Sequence, residues 1–527
     1  MGKSEREHSR FALIFAGGTL FSRLLGLVRD IVWVLVIPVA SRDAFIVAFR
    51  FPNMLRDLVG EGASNAAIVP VLSESLEKDS KEEFQALVSS AMSTMLILLA
   101  VVTMLGIAVI PFLLGGLDLL RTFTHADAVS SERIDLMIRL SVWTFPYIFF
   151  IGMAVFCMGP LFALKHYSTP SWSPTLLNVS IIGCCLLFYR SFEEPAYALV
   201  IGVWLGGIAQ LVAQYIALGK LSGVWWPNFK LRHPGVRTIL WLLVPVLLGQ
   251  SAGELNKLVD TLFAASLPLG TVTALFYANR LVQLPLSVFG IATSVAILPS
   301  ISRAAARGDH DEIRRTLMYG LRQSFFLVFP AMLGLIVLGR PIVHLLFEYG
   351  HFTPEDTTRT ATAVLFYGTG LLSFAWVKVS VTGFFAVKDT KTPVIIASIS
   401  MLTNIALNCA LVGPMGYRGL ALATTIAFTL NFALLYLFLC RRFGNLWDAK
   451  FVMALVRMGV SSVAMAVVAY TTNDFLDRQI AQDDPFSRLL IAGVPILLAA
   501  GTYAVACKIL RVSELGDFAL ALRRRRG

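Results

Sequence analysis

The chain has 527 residues, of which 57% are hydrophobic and only 15% charged, with a formal net charge of +11. A soluble globular protein is typically ~45–50% apolar and ~25% charged, which excludes that class, and apolar runs recurring from residue 11 to residue 510 leave no room for a sizeable extramembrane domain. The expected fold is an all-α polytopic membrane protein whose positive charge sits in its connections, with no nucleic-acid partner.

Hydropathy and helix-breaking residues predict fourteen spans, each near the ~20 residues that a bilayer requires. In chain order they are 11–38, 43–73, 84–114, 133–160, 170–190, 195–220, 237–268, 271–300, 314–347, 358–386, 392–413, 417–440, 452–473 and 487–510. The first follows a short charged segment without a small-residue cleavage site, so it reads as a retained helix and not as a signal peptide. The second is the least hydrophobic. Alternate connections are basic: Lys78 and Lys81, Lys165, Lys220 with Lys230, Arg232 and Arg237, Arg303 to Arg315, Lys388 and Lys391, and Arg441, Arg442 and Lys450. The others are short or acidic, as at Glu193–Glu194, Glu355–Asp356 and Asp483–Asp484, and the C-terminus ends in Arg523–Arg526. Positive charge marks the cytoplasmic side, so both termini are expected there and the number of spans must be even.

An internal repeat supports the same count. At an offset of 229, residues 63–84 align with 292–313, matching Pro70 to Pro299 and Glu83 to Glu312. That offset equals six spans and keeps both copies in one orientation. It predicts two parallel six-helix lobes, 1–222 and 223–445, around a central cavity. Two further helices and a basic tail occupy 446–527.

Within the first two spans, the runs FSRLLGLVRD (21–30) and FRFPNMLRDLVGEG (49–62) hold seven charges: Arg23, Arg29, Asp30, Arg50, Arg56, Asp57 and Glu61. Each costs ~2.5–3.5 kcal/mol at mid-bilayer, so seven facing lipid would cost roughly 20 kcal/mol, more than the ~5–15 kcal/mol stability of a typical domain. They are expected to line a polar cavity, and its basic character points to an anionic cargo. Arg23 and Asp30 share a face at seven-residue spacing, and Arg50, Asn53, Asp57 and Glu61 form a second stripe. Pro52, Gly60 and Gly62 can loosen the second helix. Arginine suits phosphate because its planar fork donates two parallel hydrogen bonds.

Span 8 adds Arg280, flanked by Asn279 and Gln283, and span 10 adds Lys378. In span 7, Glu254, Lys257 and Asp260 read either as an internal ion-pair ladder or as cargo contacts. Asn404 and Asn408, one turn apart in span 11, read either as an interhelical hydrogen bond or as part of a cation site with Thr424 of span 12. His125, His166, His344 and His351 fall at span ends or loops and read as solvated surface. The six cysteines lie in or beside apolar runs without metal-ligand spacing, so neither a metal nor a catalytic centre is expected.

The stretches FSRLLGLVRD (21–30), DAFIVAFRFPNMLRDLVGEGASNAAIVPVL (43–72), SPTLLNVSIIG (173–183), YANRLVQLPLSVFGIATSVAILPS (277–300), GDHDEIRR (308–315) and VKDTKTPV (387–394) together resemble the MurJ/MviN family of lipid II flippases. That family lies within the multidrug/oligosaccharidyl-lipid/polysaccharide exporter superfamily. The resemblance implies alternating access without covalent chemistry, and a cargo of undecaprenyl-pyrophosphate bearing the disaccharide-pentapeptide unit of peptidoglycan. It assigns Arg23, Arg29, Arg56 and Arg280 to the pyrophosphate, and Asp30, Asp43, Arg50 and Glu61 to the surrounding charge network. The last two spans would form a lipid-facing groove for the polyprenyl tail. It further implies a monomer in the bacterial inner membrane, surrounded by lipid, and leaves the cell-wall synthesis machinery open as a partner.

Two departures from the family pattern stand out. Acids expected beside the span 8 arginine are Asn279 and Gln283 here, and an expected carboxylate of a sodium site is Asn408. The driving force is therefore left open between the membrane potential and a monovalent cation. Export of another polyprenyl-pyrophosphate-linked oligosaccharide is the alternative. A drug-cation exporter would show an acidic cavity, and a polyprenyl-phosphate enzyme would need a metal-binding acid cluster or a large catalytic domain.

Overall fold

The computed structural model describes residues 3–58, 67–120, 130–223, 233–481 and 484–516, and the long regular elements among them are all helical. Glu61, Gly60, Gly62, His125, Lys230, Arg232, Asp483 and Arg523–Arg526 lie outside the described residues. The helices are α1 (Lys3–Val36), α2 (Val39–Asp57), α3 (Val69–Lys78), α4 (Lys81–Gly115), α5 (Ser131–Thr144), α6 (Tyr147–Ala163), α7 (Ser168–Phe188), α8 (Ala196–Ser222) and α9 (Pro234–Ala265). They continue as α10 (Thr271–Pro285), α11 (Ala292–Ala306), α12 (His310–Phe347), α13 (Pro354–Gly368), α14 (Leu371–Ala386), α15 (Lys391–Met415), α16 (Tyr417–Phe443), α17 (Ala449–Gln479) and α18 (Pro485–Ile509).

Among the described residues, ten helices or continuous helix pairs are long and apolar enough to cross a membrane, and twelve when two bent pairs are each taken as one span. One bent pair is Pro234–Leu247 with Ser251–Ala265, at 53°; the other is α13 with α14, at 42°. The chain is a multi-pass membrane protein. The charged helices α1 and α2 stand outside that set of twelve. Of the predicted second span, 43–73, α2 (Val39–Asp57) and α3 (Val69–Lys78) are described, and residues 59–66 between them lie outside the described residues.

Polar residues at the connections set where helices begin. Ser80 accepts from the Glu83 amide at 3.2 Å to open α4, and Asp309 accepts from the Glu312 amide at 2.8 Å to open α12. Thr353 and Asp356 form a reciprocal capping box at α13. Each supplies a partner to backbone amides that the first turn leaves unsatisfied. Between α14 and α15, Asp389 accepts from the Thr392 amide (3.1 Å) and hydroxyl (2.9 Å) and from Arg442 (3.1 Å). Burial pushes its carboxyl up, but these donors outweigh burial and hold it below the ordinary aspartate value.

The helices sort into two compact units, one of residues 1–272 with 349–352, the other of 273–348 with 353–527. In the first, α7 packs on α1 and α8, α6 packs on α8, and α2 packs on α5. The repeat places α9 in the second lobe, whereas by packing it belongs to the first unit, where it meets α2 and α4. The segment 349–352 also belongs to this unit. His351 donates its amide to the Val34 carbonyl at 2.9 Å, and the Arg42 guanidinium lies 5.4 Å from the Phe352 ring centre. Gly350, at φ +56°, presses on the Leu35 backbone, where both the left-handed conformation and the close approach exclude a side chain.

In the second unit a core of Ile301, Leu317, Phe384, Leu435, Phe451 and Met458 joins α11, α12, α14, α16 and α17. The last two helices pack on each other and on α12, where the Tyr503 hydroxyl donates to the Phe326 carbonyl at 2.8 Å. His344, expected at a solvated surface, is instead mostly buried and lies 3.4 Å from Glu348.

The contact of α7 with α8 relies on small residues that let backbones approach, as between helices in lipid. A Cβ on Gly202 would sit 2.7 Å from the Ile181 Cα, and one on Gly206 would sit 2.8 Å from the Leu177 Cα. Because the obstruction is backbone, neither side can yield cheaply. Gly202→Val or Gly206→Val is expected to destabilise by about 1–3 kcal/mol, read as a lower thermal unfolding midpoint in detergent. Gly219→Val, where a Cβ meets open space, is expected to leave the midpoint close to that of the parent.

Candidate functional site

The charged side chains of α1 and α2 come first in the chain and are not equally available. Arg29 is 4% exposed and Asp30 1%. Arg29 donates Nε and Nη2 to Asp30 Oδ1 at 3.0 and 2.6 Å, and Nη1 to Asn178 Oδ1 at 3.2 Å. Its guanidinium also lies 4.6 Å from the Trp33 ring centre, and Trp33 meets Phe45 of α2 edge-on. Asn178 in turn donates to the Ser22 carbonyl at 3.0 Å, tying α7 to α1. Arg29 is thus held on every side. Arg23, two turns earlier, is exposed.

On α2, Arg56 donates Nε and Nη2 to Asp57 Oδ1 at 3.1 and 2.7 Å, yet its side chain keeps 34% of its surface open. Asn53 donates to Asp57 at 3.5 Å. Arg50 reaches off the helix to Glu254 of α9 at 3.2 Å, and Lys257 binds the other Glu254 oxygen at 2.5 Å. The expected Glu254–Lys257 pair therefore exists, and Glu254 has a second partner that spacing alone does not reveal. Glu254 thus bridges Arg50 of α2 and Lys257 of α9, and the carboxylates of Asp57 and Asp260 also lie near enough to act on Arg50.

Asp43, at the start of α2, has no exposed surface. It accepts from the Gly270 amide at 2.8 Å and from Arg133 Nη2 at 3.4 Å, while Arg133 Nη1 donates to the Leu267 carbonyl at 2.9 Å. Asp43 therefore joins α2, α5 and the 266–270 turn, a structural knot at the edge of the charged stretch.

In the second unit, Asn279, Arg280 and Gln283 are all exposed on α10, and the Arg280 guanidinium lies 5.2 Å from the Phe276 ring centre. Lys378 is exposed on α14. Asn404 and Asn408 are fully buried on α15, and the Thr424 hydroxyl donates to the Leu420 carbonyl of its own helix at 3.1 Å. Along α18, Leu497, Leu498, Gly501, Val505 and Ile509 line an open apolar groove of about 460 Å³. Sequence reasoning did not single out Asn178, Arg133 or Trp33. Asn178 does lie in the quoted stretch SPTLLNVSIIG, and a polar residue in the middle of an apolar span was its available signal.

A family model described as lipid II flippase MurJ matches residues 39–486. The chain belongs to this family. It is 38% identical over 429 residues to a probable lipid II flippase MurJ of Vibrio cholerae, covering 80% of this chain and 81% of the relative. It is 34% identical over 512 residues to that of Haemophilus influenzae, covering 94% and 98%. Among solved structures, lipid II flippase MurJ in an inward closed conformation matches with a TM-score of 0.75 at 26% identity, over 94% of this chain and 99% of that one. An inward-facing multidrug transporter of the wider superfamily matches with a TM-score of 0.64 at 15% identity, covering 82% of this chain and 98% of that one, which shows a shared fold alone.

Within this family frame the Arg29 cage can be tested directly. Replacing Asn178 with leucine removes the acceptor and leaves a buried guanidinium N–H unpaired. The expected loss is ~1–3 kcal/mol, measured as thermal unfolding of the purified protein. In an Arg29→Met background the same change should cost distinctly less, since contacting residues couple; equal costs in both backgrounds would mean the hydrogen bond contributes nothing.

Proposed function

We propose that this chain carries lipid II from the cytoplasmic to the outer leaflet of the bacterial inner membrane, as its family name indicates, by alternating access and without covalent chemistry. The observation that carries this reading is the unequal exposure of the intramembrane arginines. Arg23 and Arg280 are open, Arg56 is a third open, and Arg29 is braced by Asp30 and Asn178. A pyrophosphate needs several forked donors. The open arginines would supply them, while Arg29 adds field strength and can exchange Asp30 for a phosphate oxygen when the headgroup enters. Asp30 and Asp57 then serve as positioners of arginine.

The proposal includes fourteen spans: the twelve apolar ones together with α1 and the α2–α3 region, whose polarity follows from facing the cargo. The repeat supports two six-helix lobes, 1–222 and 223–445, and the alternating loop charge supports cytoplasmic termini. The apolar groove along α18 supports a place for the polyprenyl tail in the 446–527 segment, so the tail stays in lipid while the headgroup crosses. The membrane potential offers ~2.3 kcal/mol per elementary charge per 100 mV, and an empty basic cavity is the species it would return inward. The protein works as a monomer in this scheme.

Depleting the protein in its host is expected to stop labelled lipid II from reaching the outer leaflet, and unchanged external lipid II would overturn the reading. Arg23→Ala, Arg56→Ala and Arg280→Ala should each lower flipping by about tenfold or more, the equivalent of losing one charge-assisted contact of ~1.5–3 kcal/mol. All three should accumulate in the membrane like the parent, as monitored by immunoblot.

A further inference from the structure

A second concentration of positive charge lies on α12, α17 and the segment after α18, within the second unit. Arg322 of α12, Lys450, Met453 and Arg457 of α17, and Arg511 and Glu514 beyond α18 line a cavity of about 360 Å³. That size is within the range of small-ligand sites. Its acid is already neutralised: Glu514 is 1% exposed, accepts from Arg322 Nε at 2.5 Å, and receives the Ser513 hydroxyl at 2.9 Å. The nearby Asp448 is committed to capping α17, where it accepts from the Phe451 amide at 2.7 Å. Lys450, Arg457 and Arg511 remain, all exposed, around one opening.

The backbone at Arg511 fixes where its side chain leaves the end of α18. After α18, the Val512 amide donates to the Cys507 carbonyl at 2.9 Å and the Arg511 amide to the Lys508 carbonyl at 3.2 Å. Arg511 itself sits at φ +53°. This is the left-handed position after a helix that ordinarily takes glycine. An arginine there accepts backbone strain and also places a third cation beside two others. Lys165 and Lys388 take the same conformation just past their helices, so it is the gathering of three exposed cations around one opening that indicates a site for an anionic ligand.

We propose that this cavity binds the phosphate of an anionic glycerophospholipid in the leaflet on the basic side of the membrane. Three cations around one neutralised carboxylate suit a phosphodiester carrying negative charge, and basic pockets between helices on that side are where such headgroups bind. The apolar edge selects lipid over free phosphate. Met453 lines the cavity, and exposed Val456 and Val460 continue along α17 towards the bilayer, offering a track for an acyl chain. The bound lipid would clamp α12, α17 and the segment after α18 together.

The test uses the full-length protein in detergent, with retained lipid counted by native mass spectrometry. Phosphatidylglycerol is compared with phosphatidylcholine of the same chains, and inorganic phosphate is the competitor. The parent is expected to retain phosphatidylglycerol over phosphatidylcholine and to keep it in millimolar phosphate. Arg457→Gln with Arg511→Gln should weaken retention about tenfold, whereas Arg303→Gln with Arg315→Gln, the same charge change outside the cavity, should not. Arg511→Gly relieves the backbone while deleting the cation, so it should unfold at an equal or higher temperature without lipid and still retain less phosphatidylglycerol. Equal retention of phosphatidylcholine, displacement by millimolar phosphate, or undiminished retention by the cavity variants would each overturn the proposal.

Discussion

An ion in a low-dielectric surround must be given a counter-charge and hydrogen bonds, or it will not stay charged where it is. This constraint organises the first unit. Arg29 is satisfied by Asp30, Asn178 and the Trp33 face, Arg56 by Asp57, and Arg50 by Glu254. Each solution also fixes a helix: Asn178 holds α7 to α1, Glu254 holds α9 to α2, and Asp43 holds the 266–270 turn to α2 and α5. The charged and polar groups within these helices are therefore also the groups that define their packing.

The remainder of the fold follows a different rule. Between apolar helices in lipid no hydrophobic force favours one contact over another, so close packing decides. Gly202 and Gly206 let α8 lie against the α7 backbone, and Gly350 lets the 349–352 segment lie against α1. Bends fall in α9 and between α13 and α14, where one span serves two directions.

Spans 3 to 14 were legible because hydropathy and loop charge are properties of consecutive residues. The second span was the least legible, because its charged residues lower the hydropathy that marks the others. Charge partners were legible only in part. Spacing placed Asp30 on a stripe with Arg23, but the guanidinium of the adjacent Arg29 folds back and takes both bonds. The Glu254–Lys257 pair was visible as a one-turn spacing, whereas Arg50–Glu254 spans 204 positions and depends on how two helices meet. His344 looked like surface because it ends a span, and its burial against Glu348 comes from packing.

By itself the sequence determined the class of molecule, its twelve apolar membrane helices and the presence of charged groups within the first two spans. The reason is that bilayer thickness and charge transfer cost act on each segment separately. Only the tertiary structure decided which arginines are caged and which remain open, that Asn178 and Arg133 belong to the charge network, and that α9 packs with the first unit. Those outcomes depend on distances of a few ångströms between residues far apart in the chain, set by how helices pack and not by any residue's own preference.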